Sequence, residues 1–124
     1  IKLASLNYVK WSRDTEIADL AKINIGIMPL EDNDWTKGKC GFKALQYMAV
    51  GMAAVVSPVG VNTTIISDGV NGLFCQSESD WELALRKLLH DPDLRKKMGE
   101  AGKKRVEEAY SKNAWKTEFL NLLQ

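Results

Sequence analysis

The chain predicts an α/β domain, with a parallel sheet of about four short strands and helices on both faces. Three observations lead there. Short runs such as Ile23 to Met28 and Ala53 to Ser57 are apolar almost throughout, as strands covered on both faces are. The segments between such runs carry apolar residues at helical spacing. Proline and glycine follow the runs directly, at Pro29 and at Pro58-Val59-Gly60, so the chain turns where a strand should end.

Taken in order, Ile1 to Ala4 is a first short strand candidate. It reads as the middle of a strand, so the chain is expected to be a piece of a longer protein. Ser12 is placed to cap a helix with Asp14 and Glu16 in its first turn, and Ile17, Leu20 and Ala21 form its apolar face up to Lys22. The strand Ile23 to Met28 comes next. Leu30 to Lys37 reads as a polar loop, and Lys37-Gly38-Lys39-Cys40-Gly41 continues it as a glycine- and lysine-rich segment. A helix of about three turns then starts near Phe42, with Phe42, Leu45, Met48 and Ala49 on its inner side. Gly51 is placed as its left-handed C′ residue.

The strand Ala53 to Ser57 leads to a turn and to Asn62, a candidate cap for a short helix through Ile65 and Ile66. Asp68-Gly69 and Asn71-Gly72 are turn signals that frame a last strand, Leu73-Phe74-Cys75. Ser79-Asp80-Trp81-Glu82 has the capping-box pattern, and Trp81, Ala84, Leu85, Leu88 and Leu89 share one helical face after it. Asp91-Pro92 opens a further helix with proline at its first position, interruptible at Gly99 or Gly102. Ser111 caps a final helix in which Trp115, Phe119, Leu122 and Leu123 align. Trp81 and Trp115 are both expected in the core.

Composition excludes several kinds of function. The 124 residues suffice for one domain with a core of its own. A net charge of +1, with the basic residues from Arg86 to Lys116 matched by acids, gives no electrostatic case for nucleic acid. Two cysteines and one histidine, His90, make neither a disulfide framework nor a metal cluster nor a Ser-His-Asp triad. No apolar run reaches the roughly 18 residues of a membrane span. A cytoplasmic chain with reduced thiols is expected.

The chemistry concentrates at Lys39 to Gly41. Glycines and lysines at a helix N-terminus offer backbone N–H groups and positive charge, a combination that favours an anion. Gly41 would let a phosphate approach the backbone closely. Taken without further context, Lys39 and Lys43 are as easily solvated surface lysines and Gln46 a polar residue on a helix edge. Cys40, between lysines beside the helix start, is expected to be reactive but has no base to form a catalytic pair.

The motifs Met28-Pro29, Gly41-Phe42-Lys43-Ala44-Leu45-Gln46-Tyr47-Met48-Ala49-Val50-Gly51 and Val55-Val56-Ser57 resemble the donor-binding lobe of GT-B-fold glycosyltransferases, family 4, the glycosyl transferases group 1. Pro58-Val59-Gly60-Val61-Asn62, Asp68-Gly69-Val70-Asn71-Gly72-Leu73 and Asp91-Pro92-Asp93-Leu94-Arg95 extend the similarity over nearly the whole chain. The resemblance implies a Rossmann-like lobe that holds a nucleotide-diphosphate sugar. It also implies a second, N-terminal lobe for the acceptor, not contained in these residues, so that the isolated chain would be inactive. The family's reaction retains anomeric configuration, needs no metal or other cofactor, and serves polysaccharide or glycoconjugate assembly. In the full-length protein such a lobe could work at the inner face of the membrane.

Carried over residue by residue, the resemblance implies that Lys39, Cys40 and Gly41 face the diphosphate and that Phe42 beside them belongs to the donor-binding residues. It places Lys43 where a catalytic lysine stabilises the departing diphosphate. The family signature has two glutamates eight positions apart; Gly38 stands at the first position and Gln46 at the second, where the ribose hydroxyls are held. Gln46 can still accept and donate hydrogen bonds. Gly38 has no side chain for the sugar, which leaves Glu31, Asp32 or Asp34 of the preceding loop to substitute. Trp35 could stack on a base or sugar, or mark a contact between lobes. A different reading stands beside this one: a non-catalytic Rossmann-like binding or interaction module whose nucleotide site has decayed.

Overall fold

A computed structural model of the chain describes residues 6–123. Its centre is β2 (Ala53–Val56), all four of whose residues are buried, flanked in parallel by β1 (Ile25–Met28) and β3 (Gly72–Phe74). The register pairs Met28 with Val56 and Val56 with Phe74, so the three strands end together at one edge of the sheet. Three strands rather than about four are present among the described residues; the fourth candidate, Ile1 to Ala4, lies outside them. Small β-branched and alanine side chains suit β2 because helices cover both of its faces. β1 differs from the sequence expectation. It alternates, with Gly26 and Met28 buried and Ile27 about half exposed, because on its second face the α5/α6 cluster reaches Ile25 but leaves Ile27 uncovered.

One face of the sheet packs on α3 (Phe42–Ala49) and α4 (Asn62–Ile65) through Met28, Ala44, Met48, Ala54, Val56, Ile65 and Ile66. The other packs on α5 (Glu78–His90) and α6 (Pro92–Ala109) through Ala53, Val55, Cys75, Ala84, Leu88 and Met98. The inner face of α3 is rotated from the expected one. Ala44 and Met48 are fully buried, while Phe42 and Ala49 are exposed. The close approach of this helix to the sheet selects the small Ala44 for the contact and turns the larger ring of Phe42 outward. Gly51 follows with φ +78°, as a left-handed C′ glycine. α6 runs unbroken through Gly99, where a Cβ would collide with the Gly51 carbonyl, so the glycine serves helix contact and does not end the helix.

Several helix starts shift. α5 is capped by Ser77, with Asp80 returning the bond, not by Ser79 and Glu82. The two Ser-x-x-acid patterns overlap, and Ser77 wins because Asp80 accepts both its N–H, at 2.8 Å, and that of Gln76, at 3.1 Å. Trp81 is half-buried against the second core cluster and Leu89 is exposed. α1 (Glu16–Leu20) starts at Thr15 instead of Ser12, whose carbonyl closes the turn before it, and its Ile17 is exposed. Asn62 is the first residue of α4, not its cap; its side chain is buried and donates to the Ser57 carbonyl at 3.1 Å. Leu30 to Lys37 contains a short helix, α2 (Asp34–Lys37), fixed by a reciprocal Asn33–Thr36 capping box.

α7 (Lys112–Asn121) is capped by Ser111 as expected, but it is not core. Trp115, Phe119, Leu122 and Leu123 are exposed, since this helix packs along α6 and reaches neither core cluster. No helix among the described residues is long and apolar enough to cross a membrane.

Candidate functional site

The carboxyl edge of the sheet is where the helix N-termini and post-strand loops converge. There the loops after β1 and β2 are bonded together. Ser57 donates its N–H to the Met28 carbonyl at 3.1 Å, and its hydroxyl accepts from the Leu30 N–H at 2.9 Å. Gly60 packs on the Lys37 backbone, where a Cβ would come within 2.7 Å of the Lys37 carbonyl. The Thr36 hydroxyl closes the 31–36 loop on the Glu31 carbonyl. The segment that reads as a polar loop is therefore held in place by these contacts.

Gly41 is the pivot of this edge. Its φ of +66° is left-handed, and a Cβ there would collide with Ile65 and lie 3.1 Å from Asn62 Oδ1. Only glycine fits this position. Standing at the N-cap of α3, it supplies no side chain to cap the helix, so the first-turn N–H groups have no side-chain acceptor among the described residues. That leaves the positive end of the helix directed at whatever lies before it.

A cavity of about 680 Å³ opens at this helix end. Its walls are the end of β1 and its loop, from Ile27 to Leu30, and the segment Gly38 to Lys43, with Tyr47 at the side. Lys39, Cys40, Gly41, Phe42 and Lys43, five positions singled out from sequence, thus meet in one place. Among the described residues neither lysine has a carboxylate within ion-pair distance, whereas Lys37 is held by Asp32 at 3.0 Å. The chemistry on offer is that of an anion site: backbone N–H groups, two cations and an apolar floor of Met28, Pro29 and Phe42.

Residues 4–105 match the family Glycosyl transferases group 1. The chain belongs to that family. Among solved structures it is similar to the C-terminal domain of the glycosyl transferase group 1 family protein LpcC from Francisella tularensis. That match has TM-score 0.69 and 23% identity, over 86% of this chain and 53% of the other. It is also similar to sucrose-phosphate synthase from Thermosynechococcus elongatus, with TM-score 0.73 and 21% identity, over 85% of this chain and 26% of that one. The chain thus spans about half the length of the first and a quarter of the second. At these identities the likeness shows the fold, that of the C-terminal lobe of GT-B glycosyltransferases. No curated protein matches the chain.

The remaining sequence candidates of the group 1 domain divide. Gln46 lines a second cavity of about 560 Å³, between α3, α1 and residues 7–12, and its Nε2 donates to Glu16 Oε1 at 2.8 Å. Glu31, Asp34 and Trp35 line neither cavity. Trp35 and Asp34 lie on α2, with Trp35 83% exposed, while Glu31 contributes its carbonyl to the Thr36 hydroxyl. Tyr47, which sequence reasoning left unassigned, lines both cavities together with Lys43. Its hydroxyl donates to the Ile27 carbonyl at 3.2 Å, burial raises its pKa, and its ring fills the space a Cβ on Gly26 would need. A glycine inside a strand marks such a close approach, so Gly26 was the available signal.

Proposed function

We propose that this lobe binds the nucleotide-diphosphate sugar of a retaining glycosyltransferase that acts in polysaccharide or glycoconjugate assembly. The observation that carries the reading is the cavity at the uncapped N-terminus of α3, where Lys39, Gly41 and Lys43 come together. A diphosphate fits such a place because helix N–H groups and fixed cations compensate its charge without a metal. Lys43, in the first turn of α3, acts on the departing diphosphate. Negative charge grows there as the bond from the sugar's anomeric carbon to the diphosphate oxygen breaks and the acceptor oxygen takes its place, and a cation already in position lowers the barrier. Lys39, Cys40, Gly41 and Phe42 position the phosphates, and Gln46 lies on the nucleoside side. No cofactor is needed. The acceptor is held by a second lobe of the full-length protein, a cytoplasmic enzyme working at the inner face of the membrane.

The alternative, a binding module with a decayed nucleotide site, draws on one observation. Gly38 and Gln46 replace both family glutamates, and the Gln46 amide is already engaged by Glu16. Calorimetric titration of the full-length protein with UDP and GDP separates the two. The donor reading expects saturable binding of at least one of them. No binding of either at millimolar concentration leaves the module reading in its place.

A further inference from the structure

We infer that Glu16, carried by α1, works with Gln46 as an acceptor pair for the hydroxyl-bearing part of the donor beside its diphosphate; this rests on the donor reading above. The two residues are far apart in sequence, on different helices, and line the same cavity. Gln46 Nε2 donates to Glu16 Oε1 at 2.8 Å. That bond fixes the amide, so its carbonyl oxygen points elsewhere, and the carboxylate keeps its second oxygen for another donor. The pair therefore presents acceptors. Acceptors repel a phosphate and take hydroxyl groups, with the charged oxygen making the stronger bond.

Position links this pair to the anion site. Lys43 and Tyr47 line both cavities, so one ligand can place its diphosphate at the N-terminus of α3 and an adjoining diol on Glu16 and Gln46. Asp19 also lines the second cavity, but Lys22 holds it at 3.0 Å. Glu16 instead bonds a neutral amide and has no cation within ion-pair distance among the described residues. A glutamate at position 46 would supply this acceptor alone; here the charge comes from a neighbouring helix and the amide aims it.

The experiment compares three probes on the full-length protein by calorimetry: whichever of UDP and GDP binds, its 2′,3′-dideoxy analogue, and inorganic pyrophosphate. Glu16→Ala should weaken the nucleoside diphosphate roughly tenfold, as expected for loss of a hydrogen bond to a charged group. It should leave the dideoxy analogue and pyrophosphate unchanged. Exchanging the partners, Glu16→Gln together with Gln46→Glu, should restore the affinity. Unchanged nucleoside-diphosphate affinity in Glu16→Ala would overturn the inference. So would equal weakening of all three probes, which is what a bond that merely ties α1 to α3 would give. Equal wild-type binding of all three probes refutes it while leaving the donor reading standing; binding of none refutes both.

Discussion

Lys43 is the residue on which the proposed chemistry turns. It is exposed in the first turn of α3, and its side chain borders both cavities. A cation there has little to do for a bound nucleoside monophosphate, which lacks the group that leaves. It has much to do when charge accumulates on the diphosphate. Lys43→Ala in the full-length enzyme is therefore expected to lower kcat roughly a hundredfold, the scale of losing one transition-state contact. Nucleoside-monophosphate affinity should change little. Equal losses in kcat and affinity would assign the lysine to positioning alone. Cys40 and Cys75 show how little residue type says without its surroundings. Cys40 is exposed at the loop, whereas burial and the charges of Asp80 and Asp68 push the thiol of Cys75 up to about 11. Only the first is placed to meet a reagent from solution.

At the scale of elements, the start of α5 offers the clearest pH dependence. Asp80 accepts the N–H groups of Ser77 and Gln76, and these bonds hold its carboxyl below the ordinary value of 3.8. A depressed folded pKa contributes stability above the unfolded value, and that contribution is lost as pH falls through the folded one. The melting temperature should thus drop on acidification below about pH 4, and Asp80→Asn should flatten that limb. An identical acid limb in the variant would remove the cap from the account. Asp19, lowered chiefly by its bond to Lys22, adds a dependence of the same sign at α1.

The same elements show what could be read in the sequence. The run Ala53 to Val56, the glycines at 41 and 51 and the Ser111 cap encode their own local structure, so they are legible one by one. Which of two overlapping Ser-x-x-acid patterns caps α5 depends on Asp80 reaching the backbone of Gln76, outside the pattern itself. The exposure of Phe42 and Trp115 depends on how closely other elements approach, and helical spacing cannot report that. The site divides likewise. Lys39 to Lys43 are contiguous and so are legible together; Glu16 and Tyr47 join the cavity walls only through the approach of α1 and β1 to α3.

For the whole molecule, both cavities lie on one side of the domain, and their walls come from residues 7–23, 27–30 and 38–47. α5 and the start of α6 support the opposite face of the sheet, the later part of α6 packs on α3, and neither helix contributes a wall. A donor should therefore act on the molecule unevenly. Ligand at a hundred times its dissociation constant stabilises the native state by about 2.7 kcal/mol, but local openings are suppressed only where the ligand touches. Hydrogen exchange of the full-length protein with saturating UDP or GDP should show new protection concentrated in the 27–47 stretch and in α1. Amides of α5 and α6 that exchange by local fraying should keep their rates. New protection strongest in α5 to α7 would put the ligand on another face and refute the assignment of Lys39, Gly41 and Lys43 to the donor. Protection confined to 38–45, with none in α1, would keep the diphosphate where it is placed here and remove Glu16 from its binding.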